Sequence, residues 1–91
     1  MSVLNRTISE YEAWGRPWLF YEHVSTSPSL SAEERDIFAQ MWNEATDARH
    51  WMRSDLGECA KQAEIALLGI FPRLDNSSAE LIARAAAYQW R

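Results

Sequence analysis

From Phe38 to Ile70 the apolar side chains recur every three or four residues without losing phase: Phe38, Met41, Ala45, Ala48, Met52, Leu56, Cys59, Ala63, Ala66 and Ile70. That period places them on one face of an α-helix, because a strand would need a period of two. Thirteen alanines outnumber the ten Val, Ile and Thr residues, so intrinsic propensity points the same way. The expected fold class is all-α: a small antiparallel helical assembly with a long central helix, straight or kinked, an aromatic N-terminal helical arm and a short C-terminal helix. The 91 residues, 47% of them hydrophobic and 24% charged, have the balance of a folding chain and are expected to form a single helical domain, 1–91.

Start and stop signals set the expected boundaries. Thr7-Ile8-Ser9-Glu10, Ser31-Ala32-Glu33-Glu34 and Ser77-Ser78-Ala79-Glu80 each have the capping-box form, in which a hydroxyl and a carboxylate three residues on satisfy amides at a helix start. A first helix is expected to begin at Ile8 and carry the stripe Ile8, Tyr11, Trp14, Trp18, Tyr21 and Val24, interrupted at Gly15-Arg16-Pro17. The polar run Ser25-Thr26-Ser27-Pro28-Ser29 reads as a linker. Residues 32–71 read as one helix, with a pair hinged at residues 54–57 as the alternative, because a lone glycine at Gly57 costs only about 1 kcal/mol. Gly69 before Phe71 and Pro72 predicts a left-handed cap and a stop within residues 68–71. The last helix is expected to reach about Gln89, with Leu81, Ile82, Ala85 and Tyr88 or Gln89 facing the core.

A single helix of that length would be ~60 Å long. On its wheel Trp51, Ile65 and Leu68 fall on or near the side opposite the main stripe, where the arm and the short last helix cannot cover them. This surplus of apolar surface predicts a homo-oligomer, a dimer in the first instance, and a protein partner. Five tryptophans and eight arginines among nine cations support an interface, since Trp and Arg dominate interface energetics. The candidate binding residues are Tyr11, Trp14, Arg16, Trp18, Trp51, Ile65 and Leu68. Trp42, at the edge of the main seam, reads as core.

Other chemistry finds little support in the sequence. The net charge of −4 and the lack of a basic stripe argue against nucleic acid. No apolar run approaches a membrane span, and residues 1–10 lack the apolar stretch of a secretory signal. A lone Cys59 closes no intramolecular disulfide, so a cytoplasmic location is expected. Glu44, Asp47 and His50 include the carboxylate-x-x-His spacing of helical di-metal sites, but no second such motif accompanies them. The trio therefore reads as a solvated face, with no metal and no cofactor expected. Cys59 has no cationic helix neighbour to make it a nucleophile, and phosphate loops and hydrolase motifs are missing. The chain is accordingly expected to be no enzyme but a self-associating regulator, inhibitor or adaptor that binds protein through its aromatic and Arg-bearing helical surface. The alternative is an oligomer that binds or sequesters a small ligand, a nucleotide or aromatic metabolite, at Tyr11, Trp14, Arg16 and Trp18.

Overall fold

The computed structural model describes residues 2–52 and 54–90. Five α-helices follow one another: α1 (Ser2–Ser9), α2 (Phe20–Ser25), α3 (Ala32–Ala45), α4 (Leu56–Ile70) and α5 (Asn76–Gln89), with short 3-10 turns at Pro17–Leu19 and Ala48–His50. α5 packs chiefly on α4 and also touches α1, α3 and the Pro17–Leu19 turn, so the last helix is the hub of an all-α assembly.

The first helix ends where a start was expected. Leu4 and Ile8, one turn apart, bury one face of α1. The hydroxyls of the apparent capping box turn back into the helix instead: Thr7 Oγ1 donates to the Val3 carbonyl and Ser9 Oγ to that of Arg6, both at 2.8 Å. A Ser or Thr side chain can serve a preceding carbonyl as readily as a following amide. The second capping box forms as expected, with Ser31 Oγ accepting from the Glu34 amide at 3.1 Å and Glu34 Oε1 from the Ser31 amide at 3.0 Å. Burial raises and the Ser31 hydrogen bonds lower the Glu34 carboxyl, the bond from the Ser31 backbone being the largest influence, so the group lies below its ordinary value. Arg35, one residue on, donates to the carbonyls of Ser25 and Ser27, tying the linker to α3.

The single long helix is replaced by two. α3 stops at Ala45, α4 begins at Leu56, and the longest dimension of the molecule, 37 Å, is far short of the ~60 Å rod. The break is held by polar groups that the apolar phase does not register. Thr46 Oγ1 takes the Trp42 carbonyl, Trp51 Nε1 donates to Ala45 O at 2.7 Å, and Trp90 Nε1 donates to Thr46 O at 3.0 Å. Two indoles thus satisfy carbonyls that a helix end leaves without partners. Asp55 then starts α4 by accepting from the amides of Gly57 and Glu58. The alternative hinge at residues 54–57 catches the start of α4 but misses the end of α3, ten residues upstream.

The break interrupts the stripe. Ala48, Met52, Leu56 and Ile70 are exposed, whereas Phe38, Met41 and Ala45 of α3 lie in the core as expected, and so do Cys59 and Ala63 of α4, with Leu67 completing that helix's buried face in place of Ala66 and Ile70. Cys59, Ala63 and Leu67 meet Ala79, Ile82, Ala83 and Ala86 of α5, whose small side chains let the two helices approach closely. α4 ends at Ile70, within the expected window, but Gly69 lies inside the helix, and no described residue has a positive φ. α5 starts one residue before the expected box, at Asn76 with Asp75 as N-cap, and the box hydrogen bonds are not made. Ser78 is instead buried and donates to the Asn5 carbonyl, while the Asn5 side chain spans the Arg73 carbonyl (3.1 Å) and the Asp75 amide (3.0 Å). Asn5 thereby pins α1 across the entry to α5.

Candidate functional site

The aromatic arm is mostly structural. Tyr11 is 4% exposed and its hydroxyl donates to the carbonyls of Ala13 and Arg16, closing residues 11–16 into a tight loop. Trp14 Nε1 bonds the Tyr11 carbonyl, and its ring lies edge-on to Tyr11 at 5.1 Å and stacks on Phe20 at 5.5 Å. Phe20 is fully buried among Tyr11, Trp14, Phe38 and Trp42. Tyr21 lies over Phe38 at 5.4 Å and Trp42 at 5.3 Å. The Arg84 guanidinium sits 4.4 Å from the Trp14 ring centre, a cation–π contact that seals the arm onto α5.

Of the expected binding residues, the fold therefore withdraws some and presents others. Tyr11 is inside the chain and Trp14 half-buried beneath Arg84, so neither offers the stacking face expected of it. Trp51 is 7% exposed and capped on Ala45, a core residue of this chain and not part of an uncovered rod face. Leu68 is partly buried against the core, while Ile65 is 61% exposed on α4, away from the arm in sequence and element. Arg16 and Trp18 remain at the surface, Trp18 with 69% of its area exposed. The one-sided surplus that motivated a partner is thus reduced to separate exposed side chains: Trp18, Met52, Leu56, Ile65, Ile70 and Trp90.

Trp18 is the one among them that walls an aromatic groove. Pro17 opens the 3-10 turn with its fixed φ, and the turn swings Trp18 away from the core on which Phe20 anchors. Trp18 then borders a cavity of about 250 Å³ together with Pro17, Trp42, Ala85, Tyr88 and Gln89. Among the described residues Trp18 stacks on no other ring, whereas Trp42 is already held by Tyr21 and Phe20, so one wall is free and the opposite one is fixed. No carboxylate lines the groove, and Arg16 and Arg84 adjoin its residues Pro17 and Ala85 in the chain. Such a site can hold an apolar or aromatic group. Trp42, Ala85, Tyr88 and Gln89 were legible only as core positions; their meeting with Trp18 depends on α5 crossing the arm, which no local pattern encodes.

The Glu44, Asp47 and His50 trio does not face solvent as a set. His50 is 5% exposed, its Nε2 lies 2.5 Å from Glu44 Oε2, and Arg49 pairs with the same carboxylate oxygen. Asp47 instead caps the 3-10 turn by accepting from the Arg49 amide. Burial raises the Glu44 carboxyl, but the hydrogen bonds and charges of Arg49 and His50 outweigh it and hold the group below its ordinary value; the same contact raises Arg49. Among the described residues no cluster of three His, Cys, Asp or Glu side chains could hold a metal ion, and no helix is long and apolar enough to cross a membrane. Cys59 is fully buried on the α4 core face.

Comparison with protein-family models, with curated proteins and with solved structures finds no match to this chain.

Proposed function

We propose that this chain is a small non-enzymatic protein-binding regulator, inhibitor or adaptor, and that it works by receiving one large apolar side chain of a protein partner in the Trp18 groove. The observation that carries the reading is a tryptophan left 69% exposed as the wall of an aromatic-lined cavity in a chain that buries its other aromatic side chains more deeply. Size favours the first of the two classes of ligand. At about 250 Å³ the groove is smaller than the roughly 300–1,000 Å³ clefts that enclose drug-sized molecules, and it suits a single inserted side chain better than a nucleotide. Charge narrows the partner further: with the exposed Arg16 next to the lining residue Pro17 and no acid within it, the groove favours an apolar residue that has an acidic neighbour. An exposed indole that becomes desolvated against a partner is the usual chemistry of a hot spot.

A displayed peptide library selected on the purified protein tests this reading. The expected outcome is enrichment of peptides that share a large apolar residue next to Asp or Glu, with binding lost in Trp18→Ala while the helical circular dichroism is unchanged. No enrichment, or peptides indifferent to Trp18→Ala, overturns it. Sedimentation of the same two proteins reads the self-association expected from the sequence. A dimer that Trp18→Ala dissociates would make a second copy the occupant and overturn the heteromeric reading.

A further inference from the structure

A polar groove of about 560 Å³ runs between α1 and the segment that leads into α5, apart from the Trp18 site. Its lining holds no apolar residue: Ser2, Asn5, Arg6 and Ser9 share one face of α1, and Arg73, Asp75, Ser77 and Ser78 stand across from them. The arginines are its unusual feature. In a chain with 13 acids and nine Lys or Arg, the other described arginines are mostly engaged: Arg35 on two carbonyls, Arg49 on Glu44 and Arg84 on Trp14. Arg6, Arg16 and Arg73 are the described arginines whose guanidinium groups have no hydrogen bond, ion pair or ring contact among the described residues, and two of the three line this one groove. Arg73 also borders the cavity that contains Glu33 and Glu34, yet pairs with neither.

The hydroxyls divide by use. Ser9 and Ser78 give their protons to the carbonyls of Arg6 and Asn5, which leaves Ser2 and Ser77 beside the two arginines as donors without a partner among the described residues. Two planar guanidinium forks and two hydroxyls can offer several charge-assisted hydrogen bonds to the oxygens of one dianion. Asp75 is the exception, an acceptor in a groove of donors. Its side chain makes no capping bond to α5 and so is available to accept from a ligand hydroxyl. The groove has no aromatic side chain on which a nucleobase could stack.

We infer that this groove binds a small hydroxyl-rich phosphomonoester, with Arg6 and Arg73 on the phosphoryl oxygens and Asp75 on a hydroxyl of the carbon skeleton. Its volume lies within the range of small-ligand clefts, unlike that of the Trp18 groove, and its lining is polar as such a ligand requires.

Titration with inorganic phosphate and with glucose 6-phosphate, followed by the amide resonances of Ser77 and Ser78, tests the assignment, with glucose and with sodium chloride at matched ionic strength as controls. Saturable shifts are expected with both phosphates, tighter with the sugar phosphate, and none with glucose or chloride. Arg6→Gln and Arg73→Gln should each weaken phosphate binding about tenfold, the effect of losing one charge-assisted contact. Asp75→Asn should raise affinity for inorganic phosphate while removing the advantage of the sugar phosphate. Absence of saturation at about 10 mM phosphate, ten times a millimolar dissociation constant, overturns the proposal. Saturation of Arg73→Gln at an unchanged phosphate concentration overturns it equally.

Discussion

Replacing Phe20 by alanine and, separately, Trp18 by alanine separates core from surface within three residues of sequence. Phe20 is fully buried and its ring contacts Tyr11, Trp14, Phe38 and Trp42 at centroid distances of 5.4 to 6.2 Å, so its loss opens a void where four rings from two parts of the chain, the 11–16 loop and α3, converge. Truncations of this kind cost about 3–5 kcal/mol, the spread reflecting how far the site can collapse. Here collapse is resisted, because Tyr11 is pinned by its hydroxyl to Arg16 and Trp14 by Arg84, and the upper half of the range is expected. A domain of this length has a total stability of ~5–14 kcal/mol, so the variant should stand near the edge of unfolding. With a urea slope near 2 kcal/mol/M, a loss of about 4 kcal/mol moves the midpoint down by ~2 M. Trp18 is 69% exposed, and its replacement should shift the midpoint by no more than the ~0.5 kcal/mol of an ordinary surface change. Urea unfolding monitored by far-ultraviolet circular dichroism at two protein concentrations measures both. A Phe20→Ala cost below about 1 kcal/mol would mean that the arm is not clamped as described. A large, concentration-dependent cost for Trp18→Ala would mean that the groove is filled in the resting protein, and the reasoning that leaves it open would be refuted.

Three further outcomes are expected. Ser31→Ala removes the oxygen that accepts from the Glu34 amide and should destabilise the chain by about 1 kcal/mol in the same urea assay, whereas Thr7→Ala, at an apparent box that does not cap, should show no loss of an N-cap. Trp51→Phe keeps most of the buried ring but strips the donor from the Ala45 carbonyl at the end of α3, so a loss of about 1–3 kcal/mol is expected, and an unchanged thermal midpoint would show that the bond does not hold the break. Glu44 titrates below its ordinary value of 4.5 in the folded chain, so the stability it supplies is complete above that pH and is lost as the pH falls through it towards the folded value. Unfolding free energy should therefore decline on acidification below about pH 4.5, and Glu44→Gln should flatten that slope; an equal slope in the variant would remove Glu44 as its source.

How much could be read from residues alone varies with the range of the interaction. Ser31 and Glu34 announce a helix start because both partners of the cap lie within three residues, and the cap forms. Thr7 and Glu10 have the same spacing, yet α1 runs upstream of them, because burying Leu4 and Ile8 outweighs one capping bond. The approximate end of α5 and the stop near Pro72 were legible for the same local reason, although no glycine cap is used. The long-helix reading failed at residues 46–55, where an unbroken apolar phase concealed a change of direction. What ends α3 there is a pair of indole donors, one of them 44 residues away at Trp90, and no helical-wheel construction contains a contact of that range.

By itself, then, the sequence determined the helical class, the firm cap at Ser31 and the aromatic richness of the arm, since periodicity, propensity and capping act over a few residues. Only the tertiary structure decided which tryptophans are spent inside the chain and which are left outside. It set Trp18 against Trp42 and Tyr88, and Arg6 against Arg73, because α5 returns across both ends of the chain that precedes it. Burial and cavity shape are properties of surfaces meeting in space, and the order of residues along one helix does not record which surface it will meet.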